Sequence, residues 1–194
     1  MPIYDRNGNA LAHYVNFPMD DVQNIEFGAG KNCFGKREYP NCYLTDLKYP
    51  DNLNHFTIDV NYENGEYHFI DGLCNFYDFD FNRKFEIIVL CNPFYYGYNG
   101  LGAAKRFFDR VDDLLTESGE IHIIGKECNP WCSRESFEEY LENDLEVYKP
   151  KASFEIKEYE NLNLNHPINE TYHFYKSELR DRTIPDERLV IKRA

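Results

Sequence analysis

The chain has no run near the roughly 18 consecutive apolar residues that a membrane span requires. Its opening, MPIYDRNGNALAHYVNF, has neither a cationic start nor an apolar stretch of the secretory type, so a soluble, cytoplasmic protein without membrane contact is expected. Positive charge is scarce: 21 Lys and Arg stand against 34 Asp and Glu, a formal net charge of −13. That balance repels phosphate backbones, so nucleic acid is not the expected partner and a basic protein suits the surface better. Small basic groups, Lys31, Lys36 and Arg37 or Arg188, Lys192 and Arg193, are too few to change the average. The six cysteines, at 33, 42, 74, 91, 128 and 132, include no CxxC pair. Cys128 and Cys132 are the one pair worth checking as ligands, and the expectation is buried reduced thiols and no metal. No GxxxxGK[ST] is present, which excludes a P-loop triphosphate site of that type.

What is abundant is aromatic: sixteen Tyr, fifteen Phe and one Trp make 16% of 194 residues, enough chain for one domain with rings in its core and pocket walls. The organising stretch is Val22 to Asp46, VQNIEFGAGKNCFGKREYPNCYLTD. It reads as a buried strand ending at Glu26 and Phe27, a turn through Gly28 and Gly30, and a second strand, Cys42 to Leu44, leading to Asp46. Glycine lets backbone turn sharply and approach a ligand without a Cβ. An acid twenty positions after Glu26 can accept hydrogen bonds from ribose hydroxyls. Together they point to a nucleoside.

Residues 1–21 form a lead-in that could cover a pocket, and its YDRNGN resembles repeats that precede toxin domains of bacterial surface proteins. Apolar alternation about Asn64-Gly65 predicts a β-hairpin over Phe56 to Phe69, with its second strand, from Tyr67, ending at Asp71-Gly72. The run FEIIVL, Phe85 to Leu90, suits a parallel strand buried on both faces and delivers Asn92-Pro93-Phe94-Tyr95 to the ligand-binding edge. The periodicity predicts a helix over Leu101 to Glu117 closed by Gly119, then a strand over Glu120 to Gly125. Ser133 should cap a helix carrying Phe137, Tyr140, Leu141 and Leu145. Ala152 to Tyr159 and Thr171 to Tyr175 read as an antiparallel pair, and 180–194 as a loose tail. The expected fold is α/β: a Rossmann-like doubly wound sheet over 22–179, mostly parallel, with a C-terminal antiparallel strand pair.

This order of parts resembles the class I S-adenosylmethionine-dependent methyltransferases over about Val22 to Leu179. NIEFGAG is similar to that family's acid-x-G-x-G motif, and NPFY to the NPPY of enzymes that methylate exocyclic or amide nitrogens, with Phe94 in place of the second proline. The resemblance implies S-adenosylmethionine as cofactor. Glu26, Gly28 and Gly30 would face its methionine part, Asp46 its ribose and Asp71, or alternatively Asp59, its adenine. It also implies that Asn92 and Pro93 accept hydrogen bonds from a planar amine or amide on which Tyr95 stacks. Asn32 stands where the family has its third glycine. Three other readings compete: a dinucleotide oxidoreductase, whose GxGxxG is broken at Cys33; a catalytically inactive binding or immunity protein with an acidic partner-binding face; and a bacterial effector or toxin module.

Overall fold

The computed structural model describes residues 2–4, 10–13, 21–29, 34–46, 71–73, 76–77, 82–100, 102–163, 165–168 and 184–194. A short antiparallel pair, β1 (Pro2–Tyr4) and β2 (Ala10–His13), lies in the lead-in. The remaining strands are β3 (Asn24–Phe27), β4 (Cys42–Asp46), β5 (Gly72–Leu73), β6 (Phe85–Cys91), β7 (Leu115–Gly125), β8 (Phe154–Asn161) and β9 (Glu187–Arg193). They form one seven-stranded sheet in the order β5-β4-β3-β6-β7-β9-β8. All pairings from β5 to β7 are parallel, and β9 enters antiparallel to both its neighbours. The order reverses between β4-β3 and β6, which in open α/β sheets places a ligand crevice at the carboxyl ends of these strands.

Alternation along β3 divides its side chains between two faces. Ile25 and Phe27 join the larger core with Ile88, Leu90, Ile121 and Ile123, while Val89, Cys91 and Ile124 face a smaller core with Phe34. The helix α2 (Ala103–Leu114) buries Ala104, Phe107, Phe108, Val111 and Leu114, spaced as one helical face, on the larger side. Phe107 and Phe108 continue a ring cluster with Phe76, Tyr98, Phe137 and Phe154, centroids 4.8 to 5.7 Å apart. The short helix α1 (Phe34–Glu38) packs against β4 and β3, and α3 (Arg134–Glu139) runs on into a π-helical turn, Tyr140–Asp144.

Several local expectations change. The α2 backbone turns extended at Leu115, because Leu115 pairs with Phe85 in the sheet, so Gly119 lies within β7 and does not close the helix. A Cβ there would stand 3.1 Å from the carbonyl oxygens of Phe85 and Glu86, which accounts for the glycine. Ser133 does cap α3, accepting from Ser136 N at 3.2 Å, but Leu141 is exposed. The segment read as a loose tail contains β9, buried between β7 and β8, and β9 is the partner of β8. The strand assigned to 171–175 and the hairpin over 56–69 lie outside the described residues.

Candidate functional site

Four backbone or side-chain links fix the turn after β3. Thr45 Oγ1 donates to Glu26 O at 2.8 Å, Ala29 N to Thr45 O at 2.9 Å, and Tyr96 Oη to Phe27 O at 2.8 Å. Gly35 N donates to Glu26 Oε2 at 2.6 Å, tying α1 to β3. Gly28 sits at φ +68°, and a Cβ there would come within 2.9 Å of Tyr96 Oη, so both conformation and space demand glycine. Gly30 lies outside the described residues.

The Glu26 side chain points into the smaller face of the sheet and is wholly buried. Loss of hydration pushes its pKa up to about 8, against the opposing bonds from Gly35 N–H and the Cys91 thiol, with the Asp46 charge adding to the rise. Glu26 is therefore a neutral acid at pH 7. It anchors the turn from beneath, and its Oε1 has no hydrogen-bond partner among the described residues. Gly35, which the motif reading passed over, is part of the same device: a Cβ would fall 2.6 Å from Glu26 Oε2 and 2.7 Å from Cys42 Sγ. Gly35→Ala is expected to lower stability by about 1–3 kcal/mol through this overpacking, measured by urea unfolding. An unchanged midpoint would contradict the packing.

Asp46 closes β4 at the sheet's carboxyl edge, half-buried and level with Leu73 of β5. Asp71 is bonded to β4. It precedes β5, where its N–H donates to Leu44 O at 2.8 Å and its Oδ2 accepts from Leu44 N at 2.9 Å. The carboxylate thus continues the pairing along β4, and the part of its strand expected from Tyr67 to residue 70 lies outside the described residues. Asp59 lies outside the described residues.

At the end of β6, Asn92 adopts φ 44° and Tyr95 φ 67°, left-handed conformations that cost energy in a tyrosine. Asn92 Oδ1 accepts from Lys126 N at 3.0 Å, and Pro93 O from Asn129 Nδ2 at 3.2 Å. Both acceptor oxygens therefore already hold a donor from the loop that follows β7. Further bonds join the two loops: Tyr98 N to Trp131 O at 3.1 Å and Asn99 Nδ2 to Pro130 O at 2.8 Å. Asn129, overlooked in the sequence, also accepts from Trp131 N at 2.8 Å. Its place between a strand end and Pro130 was the available signal.

Phe94 and Tyr95 are 60% and 69% exposed, and their rings meet edge to face at 4.5 Å. Trp131 lies 5.9 Å from Tyr95 and 6.5 Å from Phe94, centroid to centroid. A separate cavity of about 420 Å³ runs along α2, lined by Tyr77, Gly102, Lys105, Arg106, Asp109, Arg110 and Asp113, and includes none of the residues above. Among the described residues no three His, Cys, Asp or Glu side chains gather as metal ligands; Cys132 is buried and Cys128 exposed. No helix among them is long and apolar enough to cross a membrane.

No family model matches the sequence, and no curated protein matches it. Solved structures do match in fold. The 30S ribosomal A1408 methyltransferase from an uncultured bacterium superposes with a TM-score of 0.62 at 10% identity, covering 100% of both chains. The N-methyltransferase NodS from Bradyrhizobium japonicum WM9 gives 0.50 at 12% identity over 93% of this chain and 91% of its own. LepI in complex with SAM gives 0.52 at 10% identity, covering 92% of this chain and 45% of LepI. At such identities the likeness shows the fold alone: this chain has the Rossmann-like, mostly parallel α/β sheet that those methyltransferase structures share.

Proposed function

We propose that the chain binds S-adenosylmethionine across the carboxyl ends of β3 and β4 and transfers its methyl group to an acceptor held by the loops after β6 and β7. The observation that carries this reading is the glycine-only turn at Gly28, next to the partly exposed Asp46, at the switch point of this sheet. These residues fit the cofactor. Asp46 offers a carboxylate for the ribose hydroxyls, and the left-handed turn at Gly28 brings backbone to the same carboxyl edge. Glu26 supports the turn from below. Asp71 Oδ2 is engaged with Leu44 N, so the adenine contact is not assigned to it.

The sulfonium of the bound cofactor supplies an electrophilic methyl. The residues of this chain then have little acid–base work; they hold the acceptor in line and exclude water. N-methylation of a planar acceptor is the finer reading, with Tyr95 at hand for stacking. Because Asn92 Oδ1 and Pro93 O already accept internal bonds, selection in this reading falls to the exposed rings more than to that pair. The same internal bonds favour one alternative, a binding protein that keeps the fold without the transfer.

Thermal unfolding with S-adenosylmethionine, S-adenosylhomocysteine or NAD, each at millimolar concentration, tests the proposal. A ligand at 100 times its Kd stabilises the native state by about 2.7 kcal/mol, a shift of several degrees. The expected result is a rise with the two sulfur compounds only, lost in Asp46→Ala. A rise with NAD alone, or none at all, would overturn it.

A further inference from the structure

The exposed Phe94 and Tyr95, with the partly buried Trp131 beside them, make an aromatic surface that the cofactor reading does not require. Their centroid separations of 4.5, 5.9 and 6.5 Å put the rings in contact with one another, so no cage opens between them. What they present is a stacking surface. It is also a held one: the loops that carry it are joined by the bonds from Lys126, Tyr98, Asn99 and Asn129. Gly97 lets them approach, since a Cβ there would fall 2.1 Å from Trp131 O. Tyr95 is kept exposed in a left-handed conformation, a strained arrangement of the kind found at ligand sites.

The charges along the Trp131 loop indicate what would stack. Lys126 is paired with Asp186 at 2.8 Å, and the Arg134 guanidinium lies 4.5 Å over the Tyr159 ring and 3.8 Å from Glu138. Glu127 and Glu135, on the same stretch, are exposed and have no side-chain partner among the described residues. The loop's cations are thus engaged while these acids remain available, in a chain of net charge −13. An aromatic face attracts a cation, and a flat cation gains stacking as well.

We propose that Phe94, Tyr95 and Trp131 form a recognition surface for a planar cation of the guanidinium or amidinium type. This rests on the methyl-transfer reading only for what the bound group is for; the binding itself does not need the cofactor.

Trp131 is the only tryptophan in the sequence, so its fluorescence reports on this surface directly. The probes are benzamidine, benzamide and benzoate, which share a ring and differ in charge, titrated without cofactor. The expected order is benzamidine about tenfold tighter than benzamide, with benzoate weaker still. Phe94→Ser with Tyr95→Gly, both at exposed positions, should weaken benzamidine by at least tenfold without lowering the thermal midpoint, since glycine relieves the left-handed strain at position 95. Glu127→Gln with Glu135→Gln should narrow the gap between benzamidine and benzamide. Equal affinity for the three probes, tighter binding of benzoate or of single-stranded oligothymidylate, or no change in emission would overturn the proposal. Failure of S-adenosylmethionine to bind would leave these results standing.

Discussion

A chain ending at Pro185 is expected not to fold. The deletion removes β9, the strand that joins β8 to the rest of the sheet, and with it Leu189, Val190 and Ile191, at most 1% exposed. Burial of side chains of this size is worth about 1.5–3 kcal/mol each, so the three account for roughly 5–9 kcal/mol. A domain's whole stability is about 5–15 kcal/mol. Arg193 adds specific contacts: Nε to the Asp112 carboxylate at 2.8 Å, and Nη2 to Leu115 O at 3.3 Å and Nη1 to Thr116 O, the last two satisfying carbonyls just past the end of α2. Far-UV circular dichroism of the truncated chain through a urea series should show no cooperative transition. A sigmoidal transition at the full-length midpoint would mean that the strand is dispensable.

The second large effect is a dependence on pH. Glu26 has an ordinary pKa of 4.5 when unfolded and about 8 when folded, chiefly because burial penalises its charge. Between these values the native state keeps a proton that the unfolded chain has lost. Stability from this group is therefore fully present below pH 4.5 and is lost as pH rises towards 8. At about 1.4 kcal/mol per pH unit, the rise from 4.5 to about 8 sets an upper bound of about 5 kcal/mol. Glu187, raised to about 7 mainly by burial, contributes with the same sign. Glu26→Gln keeps an oxygen for Gly35 N–H and removes the ionisation, so its stability advantage over the parent should grow from pH 5 to pH 8. Urea unfolding of both proteins at several pH values measures the difference. Parallel curves would show that the Glu26 carboxyl does not carry the proton.

Much of this architecture is legible in the sequence, for reasons that are local. FEIIVL has the continuous apolar character of a strand covered on both faces, and it lies at the centre of the sheet as β6. Ala104, Phe107, Phe108, Val111 and Leu114 repeat at helical spacing, and that face is the buried one. Gly28 and Asp46 fall on the carboxyl edge that the acid-turn-acid pattern implies. What could not be read depends on distant partners. In β9, ERLVIKR, only three apolar residues stand between charges, and nothing nearby shows that β7 leaves an edge for them. The place of Asp71 at the sheet was evident, whereas its bond from Leu44 N–H was not, because that donor lies 27 positions upstream. The position of Asn92-Pro93 was evident, whereas its bonding was not, because the donors come from residues 34 and 36 positions downstream.

The most direct test of the central claim is a calorimetric titration of the intact protein, and of Asp46→Ala, with S-adenosylhomocysteine. Saturable binding at one site per chain, weakened at least tenfold by the substitution, is the expected result. Absence of binding, or equal affinity in the two proteins, would contradict the assignment of a cofactor site to the edge formed by β3 and β4.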